Sequence, residues 1–221
     1  MTLRVAVALE TTAKRTFATA IDWPGWSRSG KTQEAALAAL SAYADRFAAI
    51  ARAAGEVLPT DGLRFDLAES GPGNATTEFG APGRIAVADR RPSSTADAGR
   101  LARLVAVAWA RLDEVAAEAP EELRKGPRGG GRDRSKIAGH VLEADGYYAK
   151  EIGVRLEPPD PANPDAVGAF RAAMLDVLRQ PSDGSPLAGR KWTARYAAHR
   201  IAWHALDHAW EIEDRSVAEP S

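Results

Sequence analysis

The 221-residue sequence predicts an α+β N-terminal module over residues 1–92, followed by an all-α four-helix bundle over 93–221. Three observations carry this. Short runs that alternate apolar and polar residues, the pattern of half-buried strands, fall in the first part. From Ser93 onward, longer stretches repeat apolar residues at three- and four-residue spacing, the pattern of amphipathic helices. The last of these, 192–215, contains neither Gly nor Pro, so nothing in it forces a break.

Residues 2–9 and 15–22 read as two antiparallel strands, and Trp23-Pro24-Gly25-Trp26 as a turn. Thr32 then caps a helix with Leu37, Leu40, Tyr43, Phe47 and Ile50 along one side, ending near Gly55. Two further strands are expected at 63–68 and 84–89, with the Gly- and Pro-rich 71–83 as a loop between them. Gly25 to Thr32 satisfies G-x-x-x-x-G-K-[ST], and 85–89 imitates a Walker B strand. Context argues against a P-loop, which follows a buried parallel strand of continuous apolar sequence. The strand before Gly25 alternates instead, and one helix before residue 90 is too few for the crossovers.

The first helix of the second part, near 98–118, turns Leu101, Leu104, Val105, Ala108, Leu112 and Val115 inward and stops at Pro120. The second, 135–152, has Ile137, Val141, Ala144, Tyr148 and Ile152 as its inward stripe. The third opens with Asn163 as cap and Pro164 at the first helical position, and Pro181 ends it. Val167, Phe170, Met174, Val177 and Leu178 form its apolar side. The fourth is 192–215. Four such helices argue for a bundle, whose interior is where these folds build metal sites.

Composition excludes several function classes. Hydrophobic content of 45% and charged content of 27% are ordinary for a globular chain. A net charge of −1 gives no basic surface for general nucleic-acid binding. Without cysteine there is no disulfide framework, no thiolate ligand and no Cys nucleophile. There is no basic-then-apolar leader and no apolar run near the roughly 18 residues of a membrane span, so a cytoplasmic protein is the expectation.

The four histidines are the chemistry. His204 and His208, four apart, sit one above the other on the helix face that also carries Ile201, Ala205 and Ile212. One reading is a pair of hydrogen-bonded core histidines. The other is a divalent metal, Zn, Ni or Fe, chelated by the pair plus a ligand from another helix. His199 lies on the wrong side of the cylinder. His140, at the edge of its own inward stripe, meets the requirement if its helix packs antiparallel to the last one. Three nitrogen ligands with an open position would be a reactive arrangement rather than a structural one.

The motif Trp203-His204-Ala205-Leu206-Asp207-His208-Ala209-Trp210-Glu211, with a His on an earlier helix, resembles the DinB-like (damage-inducible) superfamily of metal-binding four-helix bundles over roughly residues 93–215. That superfamily includes thiol S-transferases that use bacillithiol or mycothiol, and mycothiol-dependent maleylpyruvate isomerases. The resemblance implies a three-histidine metal site at His140, His204 and His208 and a low-molecular-weight thiol as co-substrate. In the first part, two strands running into Trp23-Pro24-Gly25, then Gly30-Lys31-Thr32-Gln33-Glu34-Ala35 and a helix, are similar to the HicB-like antitoxin fold over about residues 3–50.

Around the metal, Glu211 is expected as an outer acceptor, a fourth ligand or a general base, and Arg200 as the group that orients a carboxylate or sulfonate. Ion pairs at the end of the bundle are the alternative for both. Asp207 is expected to bond a ligating ring or to pair with Arg200. The connector 124–134 reads either as a solvated linker or as a basic flap in which Arg128, Arg132 and Arg134 attract an anionic small molecule. Trp192, Tyr196, His199, Trp203, Leu206 and Trp210 form a second stripe on the last helix. It is expected to be buried against the N-terminal module or against a second copy in a homodimer. The function expected is a metal-dependent transferase, isomerase or hydrolase that activates a thiol or water. The alternative is a non-catalytic binding protein with a vestigial metal site.

Overall fold

The computed structural model describes residues 4–125 and 131–216. It is a mixed α+β structure, with one four-stranded sheet at the N-terminal end and seven α-helices among the described residues. Strands β1 (Arg4–Thr11), β2 (Thr16–Ala20) and β3 (Ser27–Gly30) form an antiparallel meander. Helices α1 (Gln33–Ala42) and α2 (Ala44–Ala53) then cross over to β4 (Arg64–Pro72), which pairs parallel to β1. The strand order is β3-β2-β1-β4. A short helix, α3 (Ala75–Phe79), precedes the long helices α4 (Thr95–Glu118), α5 (Arg134–Glu151), α6 (Pro164–Leu178) and α7 (Ala194–Ser216).

The caps follow from residue chemistry. Thr32 accepts from the Ala35 N–H, Asn163 from the Ala166 N–H ahead of Pro164, and Ser94 forms a capping box with Asp97. Membrane-spanning length and apolarity are found in no described helix.

Four sequence expectations need correction. The single helix expected from Thr32 to Gly55 is broken at Tyr43. There the Leu40 carbonyl accepts the Tyr43 N–H in a tighter, three-residue turn and also the Trp26 indole N–H at 3.0 Å. Residues 84–89 form no strand. Their amides find carboxylates rather than a ladder: Glu10 accepts from Gly83 and Arg84, Asp89 from Ala86, and Glu69 from Val87 and Ala88. Residues 71–83 are no simple loop, since β4 runs through Pro72 and Asn74 caps α3 with a full capping box. Trp192 lies outside the last helix, because the Thr193 carbonyl and hydroxyl already accept from the first helical turn. The P-loop imitation is dismissed by its backbone: Ser27–Gly30 lies in an antiparallel ladder with β2.

One apolar cluster runs through both halves. Val5, Val7 and Leu9 of β1 and Trp26, Leu40 and Phe47 join Leu104, Leu112, Ile201, Leu206 and Ile212 of the long helices. Helix α7 is central, packed along α4 and against α5. Its alanines at 197, 198, 202, 205 and 209 are buried and allow close approach. Gly25 marks one such approach. Its φ is +97°, and a Cβ there would sit 2.7 Å from Leu206 Cδ1. The aromatic stripe is covered within the chain: Trp203 meets Phe17 edge-on, and Trp210 packs on Tyr43.

Helix α5 also buries Asp145 completely, beside Trp109 of α4 and Arg171 of α6. Neither carboxylate oxygen has a well-formed hydrogen bond. Burial pushes this carboxyl up to about 7, against the pull of Arg171 and Trp109.

Candidate metal centre

His204 and His208 stack on α7 by their four-residue spacing, with ring centroids 4.8 Å apart. His140 of α5 closes the triangle at 5.2 Å from each. Further along α5, Tyr148 packs on Trp192 and His204, so α5 and α7 run antiparallel as the shared site requires. One ring nitrogen from each histidine can be chosen so that all three lie within 4.8 Å of one another.

The ring nitrogens are prepared to different degrees. The His208 Nδ1–H donates to Glu211 Oε2 at 2.8 Å, which orients the ring and leaves Nε2 as the nitrogen for an ion. Glu211 Oε1 in turn accepts from Arg215 Nη1 at 2.8 Å, and Arg215 Nε donates to the Arg124 carbonyl. The hydrogen bonds from His208 and Arg215 hold the Glu211 carboxyl below its usual range. Both Glu211 oxygens thus accept hydrogen bonds, a geometry that suits the outer acceptor among its three expected roles. His204 is almost fully buried, and its Nδ1 has no hydrogen-bond partner. Burial first, then the charges of His208 and Arg200, push its pKa well down. His140 is lowered by burial, Arg132 and His208. Three imidazoles, two of them held toward the neutral form and one with an orphaned buried nitrogen, are a donor set that fits a divalent transition metal.

Arg200 lies beside this cluster, its Cζ 5.5 Å from the Tyr148 ring and 4.9 Å from the Trp203 ring. Its Nη1 is buried without a partner. It does not pair with Asp207, and Asp207 bonds no ligating ring. Instead Asp207 accepts from Arg28 Nη1 of β3 at 2.8 Å, a partner 179 residues away in sequence. His199 stays off the site as the helical geometry requires, with Nε2 2.9 Å from the Ile21 carbonyl oxygen. Of the basic connector, Arg132 is close enough for its charge to depress both His140 and His204. Arg134 is engaged with Glu121, and Arg128 lies outside the described residues.

Tyr148 is the neighbour that sequence reasoning filed as core. Its ring centroid is 5.7 Å from that of His204. Its position eight residues after His140, within a quarter turn of the same face, was the available signal. No protein-family model, curated protein or solved structure matches this chain.

Proposed function

We propose that α4–α7 form a DinB-like four-helix bundle that holds a divalent metal on His140, His204 and His208, behind a HicB-like N-terminal module, and that the protein is a metal-dependent enzyme acting on a small anionic substrate with a low-molecular-weight thiol or water. One observation carries this reading: three imidazoles from two helices converge with nitrogens within 4.8 Å of one another, one of them backed by a carboxylate. A divalent ion in such a set acts as a Lewis acid and makes a coordinated thiol or water easier to deprotonate at neutral pH.

The chain's own residues supply the rest. Glu211 orients His208 and is itself oriented by Arg215. Arg200, with a buried N–H group lacking an acceptor, binds an anionic group of the substrate, since an unpaired buried donor is costly to leave unmade. Arg132, exposed and without an ion pair among the described residues, adds positive potential beside the cluster. Tyr148 and Trp203 wall the arginine on their ring faces.

Metal analysis of protein purified without added ions tests this first. About one equivalent of Zn, Ni or Fe is expected in the wild type and loss of it in His140→Ala. A screen of low-molecular-weight thiols with electrophilic acids follows, using His140→Ala as control. Metal-free wild-type protein that also fails to take up added ion would sink the reading.

A further inference from the structure

A cavity of about 160 Å³ lies on the sheet side of α7, between the β2–β3 hairpin and Trp203. It is lined by Arg15, Arg28, Ser29, Tyr43, Trp203 and Asp207, among others, and includes none of the three clustered histidines. Ser29 and Arg28 belong to the Gly25–Thr32 run that imitates a phosphate-binding loop in sequence. That run is an extended edge strand rather than a loop whose N–H groups converge on one point, so a ligand there would be bound chiefly by side chains.

The charges around this cavity do not cancel. Arg28 stacks 3.8 Å over the Tyr43 ring centroid and is neutralised by Asp207. Arg15 makes no ion pair among the described residues. Its Nη1 donates to Ser29 Oγ at 3.2 Å, which holds the guanidinium at the rim. Trp203 is 5% exposed, and its Nε1 is buried with no hydrogen-bond partner. A buried indole N–H ordinarily has an acceptor. The uncommitted groups at the cavity are therefore donors: the remaining N–H groups of Arg15, with the Ser29 hydroxyl beside them, while the Trp203 ring supplies wall. The one carboxylate present is already engaged.

We infer that this cavity binds a phosphate-type oxyanion, with Arg15 as its charge partner, Ser29 as a neutral donor and the Trp203 ring as the wall that reports occupancy. Two features favour an oxyanion over a halide: the space exceeds that of one water, and a guanidinium presents a planar fork matched to paired oxygens. This site is independent of any metal at the histidines.

The test is a titration of full-length protein with inorganic phosphate, balanced with chloride at constant ionic strength. The readout is the indole resonance of Trp203 in ¹⁵N NMR, assigned with Trp203→Phe. A saturating shift with a roughly millimolar Kd is expected, raised about tenfold or more in Arg15→Gln. Ser29→Ala, which removes a hydroxyl from a half-buried strand position, provides a second weakened variant should Arg15→Gln fold poorly. The inference is overturned by an indole signal that stays still at phosphate levels about tenfold above that Kd. It is equally overturned by a shift unchanged in both variants, or matched by acetate or by chloride alone.

Discussion

Asp145 offers the sharpest test of the helical core. Its carboxyl is fully buried and its pKa rises from 3.8 to about 7, so the folded state holds a proton that the unfolded chain releases near pH 4. A carboxyl whose folded pKa is raised destabilises the fold as pH climbs. The loss begins above the unfolded pKa and is complete above the folded one. About three pKa units at ~1.4 kcal/mol each correspond to about 4 kcal/mol, an upper figure because relaxation and water entry lower it. Asp145→Asn keeps the shape and removes the charge. Urea unfolding followed by far-UV circular dichroism, at several pH values between about 4 and 8, should show the variant matching wild type in acid. It should then become more stable, by up to about 4 kcal/mol, at the alkaline end. Comparing variant with wild type cancels the other titrating groups, including the buried Glu10 and Asp89. A stability difference that is flat across this range, or that favours wild type at alkaline pH, would refute the argument.

Three other outcomes are expected. Glu211→Gln should weaken metal affinity about 10–100-fold, measured by competition with a chelating dye, because His208 loses the carboxylate that fixes its ring; unchanged affinity would remove Glu211 from the site. Glu10→Gln should cost about 1–3 kcal/mol and speed hydrogen exchange at the Gly83 and Arg84 amides, while the Val87 and Ala88 amides on Glu69 change less. Trp203→Ser should cost about 3–5 kcal/mol in thermal or urea unfolding, since it empties a buried site against Phe17; a loss below about 1 kcal/mol would mean that the stripe does not hold the halves together.

The long helices were readable because their signals are local. Asn163-Pro164, the apolar spacing in α4 and the uninterrupted 192–215 stretch each act within a turn or two. The histidine triad was readable for the same reason, as two helical periodicities that share one inward face. Distant partners hid the remainder. Nothing near Tyr43 announces a break at which Trp26, from a distant turn, bonds the Leu40 carbonyl. Arg84-Ile85-Ala86-Val87 has strand composition, yet Glu10 and Glu69 take its amides. Ser27-Arg28-Ser29-Gly30 is a strand with no apolar alternation, held by its pairing to β2. The Asp207–Arg28 contact depends on the sheet lying against α7, a placement that helix geometry alone does not specify.

Helix α7 serves as a party wall. Its histidines look toward α5, while Trp203 and Trp210 are plastered onto Phe17 and Tyr43 on the far side. Cutting the chain after residue 92 to express the helices alone would strip that plaster and leave two indoles and Tyr196 facing water. A fragment so prepared should be sticky and poorly folded, and any ion-binding assay performed on it would report on the damage rather than on the site.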